Sequence, residues 1–401
     1  MDYLTLKDVD VANKKVIVRA GFDVPLDDKG NIADDKRIRD CIPTIRYLLS
    51  KNAAVILISH MGRPEGKVVP ELSNSVVAKS LYGLLEKNIK TAKSCIGQDA
   101  IREMKSLKNG EVLLLENLRF NKEEKSKNQE ERDGFGKKLA SCADVYVNEA
   151  FSNSHRSDAS MTSIPKYVLG CAGLSLDAEY RIIKNSVANP KHPFIAIVGG
   201  MKTDKLQDTE EISRRADKVL IVGSLGYALL SRKGIEIGKT RVKGEIGNVD
   251  AILNNKKMIL PEDAVAAEEF KKDSLKKTVD IGSIPKDWMV LDIGPRTLAR
   301  IKREIKLART VVWFGPIGVF EWRRFSKGTR EVAQALAKSK ARVIIGGGDS
   351  AAAVDKLKLA NKMTHVSTGG GASLELFKDR ELESIKALVD SKKRFGMTNH
   401  H

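Results

Sequence analysis

Two loops near the C-terminal end carry the densest chemical signal in the chain. Arg342 to Leu376 reads RVIIGGGDSAAAVDKL, a short lysine-bearing spacer, then HVSTGGGASLEL. In each half, β-branched residues lead into a triple glycine and then into a run of Ala, Ser and Leu. That is strand, tight loop and helix, used twice. A glycine loop opening a helix leaves backbone N–H groups unpaired at the helix's positive end, where phosphate binds well. Asp349 falls in the first turn of the first helix, where a carboxylate can hold Mg²⁺ beside a phosphate. One such loop alone is better read as an ordinary strand–helix turn N-capped by Asp349 or Ser373. Two copies favour ligand binding, since they would lie side by side on a parallel sheet.

A second set of residues is basic. Arg19 closes the first apolar run, and His60 and Arg63 follow the second in SHMGRP. Arg119 follows the third in ENLRF, and His155 and Arg156 the fourth in NEAFSNSHR. Arg37 stands before a helix in DDKRIRD. Singly, each reads as a surface residue. Placed after four successive strands, they converge on one edge, as a pocket for a small phosphorylated acid. In the later half glycines hold the equivalent places: Gly200 before Lys202 in VGGMK, Gly223 in VGSLG, Gly315 ahead of Glu321 in FGPIGVFE, and Gly347 and Gly348 before Asp349 and Ser350. Backbone approaches a ligand closely at such points, which predicts a nucleotide seat. No GxxxxGK[ST] occurs, and no GxGxxG with a ribose-binding acid, so neither a P-loop nor a dinucleotide fold is indicated. Two pockets imply two ligands united by domain closure.

The elements that must position these residues alternate strand with helix. Apolar runs at Lys15–Arg19, Ala54–Ser59, Glu111–Leu115 and Val145–Asn148 are followed by Phe194–Val198, Val219–Val222, Met289–Ile293, Thr310–Phe314, Val343–Ile345 and His365–Ser367. Amphipathic stretches separate most of them. The pattern predicts an α/β protein of two Rossmann-like, doubly wound parallel-sheet domains. The break is placed near Gly170–Asp177, with SLDAEYRIIKNSVAN as a helical connector. The expected domains are 1–172 for the acid substrate and 173–378 for the nucleotide, followed by a terminal segment, 379–401, with a frayed tail at His400 and His401.

Composition narrows the class. No apolar run is long enough for a membrane span, and MDYLTLKDVD has no secretory character. Four scattered cysteines, Cys41, Cys95, Cys142 and Cys171, read as reduced thiols of a cytoplasmic protein. A net charge of +18 raises nucleic acid as a partner. Dispersed lysines and only 5% aromatics argue instead for solvated faces and attraction of acidic small substrates.

SHMGRP, ENLRF, NEAFSNSHR, IVGGMK, WMVLDIGP, VWFGPIGVFE, KGTR, GGGDS and HVSTGGGASLEL occur in the order seen in phosphoglycerate kinases, and the chain resembles that family over nearly its whole length. The resemblance implies reversible phosphoryl transfer between 1,3-bisphosphoglycerate and ADP, giving 3-phosphoglycerate and ATP. It also implies Mg²⁺, a hinge-bending monomer, and a last segment returning to the N-terminal domain. His60, Arg63, Arg119 and Arg156 match binders of the non-transferred phosphate, with Arg19 and His155 around them. Arg37 matches the residue at the reacting carboxyl, and Lys202 the lysine that follows the transferred group, with Lys205 second in its loop. Asp349 resembles the Mg²⁺–nucleotide ligand, Ser350 a phosphate contact and Glu321 the ribose ligand. Gly348 and Gly371, from the two triple glycines, count among the transfer residues.

Departures from the family pattern cluster at the acid site. RAGFDVP stands for the usual RVDFNVP, putting Gly21 and Asp23 in place of an aspartate and an asparagine. Asp158 replaces a frequent histidine, Phe314 an asparagine and Met201 an alanine. If the chain stays extended, Asp23 carries the displaced carboxylate on the same face, and is expected to accept the substrate's hydroxyl. A kinase of another phosphorylated acid and a non-catalytic binding protein are the alternatives.

Overall fold

The structure, a computed structural model, describes residues 2–203, 205–367 and 369–396; His400 and His401 lie outside them. Two compact units form, one from Met1–Arg181 with Glu381–His401, the other from Ile182–Arg380.

In the first unit the strands are β1 (Lys15–Arg19), β2 (Ala54–Ile58), β3 (Ile89–Thr91), β4 (Val112–Leu114), β5 (Val145–Asn148) and β6 (Leu169–Ala172). They interleave with α1 (Lys36–Ser50), α2 (Ser75–Leu85), α3 (Gln98–Ser106), α4 (Gln129–Ala140), α5 (Ala159–Thr162) and α6 (Leu174–Ala188). All six strands are parallel, in the order β3-β4-β2-β1-β5-β6. AVILI in β2 is buried at every position, as a strand covered by helices on both faces requires. Val16, Val18, Val55 and Leu57 pack against Ile45 and Leu48 of α1 in this core. From β1 the chain winds first toward β2, β4 and β3, then crosses to β5. The reversal at β1 makes the carboxyl ends of β1, β2 and β5 a ligand position.

The second unit holds β7 (Phe194–Val198), α7 (Lys205–Ser213), β8 (Lys218–Ile221), α8 (Gly223–Arg232), α9 (Asp250–Leu253) and β9 (Met258–Ile259). Next come β10 (Asp263–Ala267), β11 (Lys276–Asp280), β12 (Met289–Ile293), α10 (Pro295–Leu307), β13 (Thr310–Phe314), α11 (Lys327–Lys338), β14 (Arg342–Gly346), α12 (Gly348–Lys356), β15 (His365–Ser367) and α13 (Gly370–Phe377). Its main sheet is parallel, in the order β15-β14-β13-β7-β8-β9, with the reversal at β7 and β13. Trp313, Ile197, Val311 and Ile345 from this sheet meet Ile301 and Ile305 of α10.

One expectation changes here. Met289–Ile293 does not join a parallel sheet: β11-β10-β12 is a separate antiparallel sheet. Its strand β11, KKTVD, is exposed at nearly every residue, with lysines that suit an unpaired edge.

The chain ends with α14 (Glu383–Phe395), which packs on the first unit. Leu382, Ile385 and Leu388 are buried there. The Gly170 N–H donates to Ser391 Oγ at 2.9 Å, tying α14 to β6. Among the described residues no helix is long and apolar enough to cross a membrane.

Candidate functional site

At the carboxyl end of β1, Arg19 is fully buried. Its Nε donates to Ser160 Oγ at 2.8 Å, a second nitrogen to the Ala20 carbonyl, and the third to His60 Nδ1 at 2.8 Å. An arginine has no acceptor, so this last contact makes Nδ1 the acceptor and puts the His60 proton on Nε2. Nε2 lies 3.4 Å from Asp23 Oδ2, completing a line from Arg19 through His60 to Asp23. Burial, reinforced by the Arg19 and Arg119 charges, brings the His60 imidazole down to about 4 despite the Asp23 hydrogen bond. The ring is therefore neutral at pH 7. Burial works to raise the Asp23 carboxyl. The hydrogen bonds from His60 and the Gly62 N–H (2.9 Å), with the Arg37 charge 3.7 Å away, outweigh it and hold the group well below the usual carboxylate range.

Around Asp23 the chain is not extended as expected. The Val24 N–H reaches back to the Phe22 carbonyl at 2.9 Å, turning the chain at Asp23. The Phe22 N–H is held by Ser59 Oγ at 3.0 Å. A Cβ at Gly21 would touch only the Ala150 backbone, at 3.8 Å, so the glycine leaves room there. Arg37, at the start of α1, donates to the Asp23 carbonyl.

Arg63, Arg119 and Arg156 line one cleft of roughly 550 Å³ with Lys122 and Lys125. They come from the loops after β2, β4 and β5, which the winding order brings to one edge. Arg119 is 5% exposed and donates to the Gly62 carbonyl at 2.7 Å. Burial first, then the neighbouring arginines, lower its proton affinity against the opposing pull of Asp158. The expected set thus divides. Arg63, Arg119 and Arg156 face the cleft. His60, expected at the phosphate, and Arg19, expected around it, lie beneath the cleft, with their polar atoms committed to each other and to Ser160, Ala20 and Asp23. His155 is half-buried beside Arg156 and outside the lining. Lys122 and Lys125 were not among the residues singled out from the sequence. The missed signal is that NKEEK directly continues ENLRF, so the strand-end loop extends through it.

In the second unit a pocket of about 400 Å³ opens at the reversal between β7 and β13. Gly200, Lys202, Gly223, Glu321 and Asp349 all line it. The glycines are dictated by crowding. A Cβ at Gly199 would stand 2.3 Å from the Pro316 carbonyl oxygen, and Gly223 has φ +63° with the Gly200 backbone 2.9 Å from its Cβ position. Gly315 has φ +75°. The two triple-glycine loops touch: a Cβ at Gly370 would lie 2.9 Å from Gly347 Cα, while Gly347 itself has φ +99°. Gly348 and Gly371 are exposed at the first turns of α12 and α13. The first glycine of GGGDS has another cause. A side chain at Gly346 would enter the Phe314 ring at 2.2 Å, and that ring stacks edge-on with Phe377 at 4.7 Å.

Ser350 departs from expectation. Its hydroxyl is buried, accepts from the Gly315 N–H at 2.8 Å and donates to the Gly346 carbonyl at 2.9 Å. It braces the loop and leaves its hydroxyl no free direction toward a phosphate. Lys205 begins α7, and its side chain lies outside the described residues. Sequence reading also missed Lys243 and Arg241. Lys243 pairs with Lys202 as a parallel bridge, setting a second lysine beside the first on the pocket wall. The Arg241 guanidinium lies 4.2 Å from the Phe270 ring centroid. Nothing in TRVKGEIG marks these residues, because only the fold brings that loop to β7. Asp292, on the floor, is pushed up to about 7 by burial, against hydrogen bonds from the Gly328 and Ile293 N–H groups.

Two α/β units, one opening a cationic cleft and the other a glycine-lined pocket with an exposed carboxylate, have the parts of a phosphotransferase for small anionic substrates. The family model described as phosphoglycerate kinase matches residues 6–380. The phosphoglycerate kinase of Dictyoglomus turgidum is 44% identical over 395 residues, covering 96% of this chain and 98% of its own. That of Prosthecochloris aestuarii is 43% identical over 401 residues, covering 97% and 100%. Among solved structures, phosphoglycerate kinase from Coxiella burnetii superposes with a TM-score of 0.82 at 34% identity, covering 98% of this chain and 100% of that one. The enzyme from Pyrococcus horikoshii gives 0.86 at 31% identity, with the same coverage. The chain belongs to the phosphoglycerate kinase family.

Proposed function

We propose that this protein transfers a phosphoryl group reversibly between 1,3-bisphosphoglycerate and ADP, yielding 3-phosphoglycerate and ATP. The observation that carries the reading is the cleft of Arg63, Arg119 and Arg156. Three guanidinium groups from loops distant in sequence meet at one strand-end edge, as a dianionic phosphate requires. Arg37, beside Asp23, is assigned to the substrate carboxyl. Asp23, which carries its charge across the working pH range, accepts the substrate's hydroxyl through a remaining lone pair. Gly200, Gly223 and Gly315 let backbone approach the nucleotide, and Glu321 takes its ribose.

Phosphoryl transfer spreads charge over three equatorial oxygens and needs little covalent help. Lys202 and the N-terminal amides of α12 and α13, opened by Gly348 and Gly371, are assigned to that charge. No phosphoenzyme is required. For Mg²⁺ the donor chemistry fits: Asp349 presents an exposed carboxylate to the pocket, and among the described residues no side chain pairs with it. Among the described residues no group of three or more acidic, histidine or cysteine side chains forms a cage. A single carboxylate suits an ion that takes its other ligands from water and substrate phosphates. Mg²⁺ held by Asp349 would neutralise nucleotide phosphate charge.

The assignment extends to a single chain acting as a monomer in the cytoplasm, the compartment being supported by four buried free thiols. The test is turnover of purified protein with 3-phosphoglycerate and ATP, alongside a panel of other phosphorylated carboxylic acids. Preference for 3-phosphoglycerate supports the proposal. Absence of turnover with every acid overturns it. Preference for another acid favours the second reading, which the Gly21 and Asp23 departures motivate.

A further inference from the structure

Behind the cationic cleft, whose own lining includes Glu65, a buried carboxylate faces the lining arginine Arg119. Asp158, 5% exposed, ends the loop that carries Arg156 and stands just before α5. Its Oδ2 lies 3.6 Å from an Arg119 terminal nitrogen, beyond hydrogen-bond length. Neither of those two atoms, nor Arg119 Nε, has a hydrogen-bond partner among the described residues. Buried polar atoms are seldom left in that state, and those that are require an explanation. A phosphate oxygen in the cleft would supply the missing acceptor for Arg119, at the same nitrogen that Asp158 faces.

The side chain behind Asp158 accentuates its character. Glu124 is fully buried and receives the Ser160 N–H at 2.9 Å and the Ser160 hydroxyl at 2.6 Å. Those bonds, with Arg19 on the far side of Ser160, account for Glu124; Glu65 stands in the cleft lining, and Asp158 is the carboxylate that faces Arg119, at 3.6 Å.

We propose that Asp158 is an internal counter-anion of the cleft, which holds the Arg119 guanidinium when the cleft is empty and competes with the phosphate of a bound phosphomonoester for it. Its role is to moderate affinity and hasten release. It is a positioning residue, since it acts on the ligand through Arg119. Without it, a buried arginine among four other cations would retain the phosphate longer. The inference rests on the functional reading above, and its test separates the two.

Asp158→Asn keeps the shape and removes the charge, and Asp158→Ser is the second variant should the amide misfold. Inorganic sulfate is the probe, because its charge is constant over the working pH range. Titration calorimetry on each protein should show sulfate binding tightened on the order of 10-fold, as expected for loss of one adjacent like charge to the ligand. With 3-phosphoglycerate, KM should fall by a similar factor while kcat stays level or drops, which a purely structural role would not produce. Unchanged or weaker sulfate binding in folded variants overturns the proposal. Failure of the unaltered protein to turn over 3-phosphoglycerate refutes the functional reading and leaves the sulfate comparison standing.

Discussion

Replacing Asp23 with alanine tests the Arg19–His60–Asp23 line directly. The carboxylate accepts the Gly62 N–H at 2.9 Å and faces His60 Nε2 at 3.4 Å. Because Arg19 occupies Nδ1, the His60 ring cannot turn its proton elsewhere without opposing donor to donor. The ring is 2% exposed, so alanine leaves a buried N–H unpaired, a loss of about 1–3 kcal/mol in general. The Asp23 side chain is 36% exposed, and water reaching the gap makes about 1–2 kcal/mol the better expectation. His60→Ala removes the same contact from the other side. In urea unfolding of the native protein, both single variants and the double variant, the two losses should fall short of additivity by roughly 1 kcal/mol. Activity should respond separately: Asp23→Ala should lose roughly 10–100-fold in kcat/KM for 3-phosphoglycerate, from the hydroxyl contact. Additive stability losses, to within about 0.3–0.5 kcal/mol, would refute the tautomer argument. Unaltered kcat/KM would refute the hydroxyl contact alone.

Three further outcomes are expected. Lys202→Ala should lower kcat on the order of 10²–10³-fold with little change in nucleotide binding; a steady-state result showing only a raised nucleotide KM would assign Lys202 to ground-state binding. Asp349→Asn should weaken the Mg²⁺ dependence of nucleotide use and be partly rescued by excess Mg²⁺, and an unaltered Mg²⁺ titration would reduce Asp349 to a helix-terminal residue. Burial raises the Glu149 carboxyl from 4.5 to about 7, against hydrogen bonds from Thr44 and the Ser175 and Leu176 N–H groups at the start of α6. The folded state therefore holds the proton more tightly than the unfolded one between those values, and this group's contribution to stability falls as pH rises from 4.5 to 7. Glu149→Gln should consequently gain on the order of 2–3 kcal/mol relative to the native protein between pH 5 and pH 8, read from urea midpoints; a constant difference across that range contradicts it.

What the sequence makes legible is what a parallel sheet writes plainly. β1, β5, β7 and β13 are buried apolar runs at the residues expected, and the residues beyond them point out the ligand edges. Short or solvated strands leave no such trace: β3 is three residues long, and β11, KKTVD, lies almost wholly in the open with a single valine among polar residues. Depth is illegible too. Arg19 and Arg63 look alike as strand-end arginines, yet one is buried beneath the cleft and the other lines it. The difference lies in Ser160 and His60, brought to Arg19 from 141 and 41 residues away. Lys243 was unreadable as a site residue for the same reason, because its neighbours are assigned by the fold and not by the local sequence; Asp158 was legible as a departure at the acid site, but its facing of Arg119 was not.

The return of α14 to β6 has a consequence for the order of manufacture. Leu382, Ile385, Leu388 and Ser391 seal residues translated more than two hundred positions earlier. At ribosomal rates of roughly 5–20 residues per second, the strand-bearing part of the first unit waits on the order of 10–40 seconds for its closing helix. All of Ile182–Arg380 is made in that interval. The unit that begins first on the ribosome is thus the last whose covering is complete, and a chain truncated before Glu383 would leave the β6 side of its sheet open at the face that α14 covers.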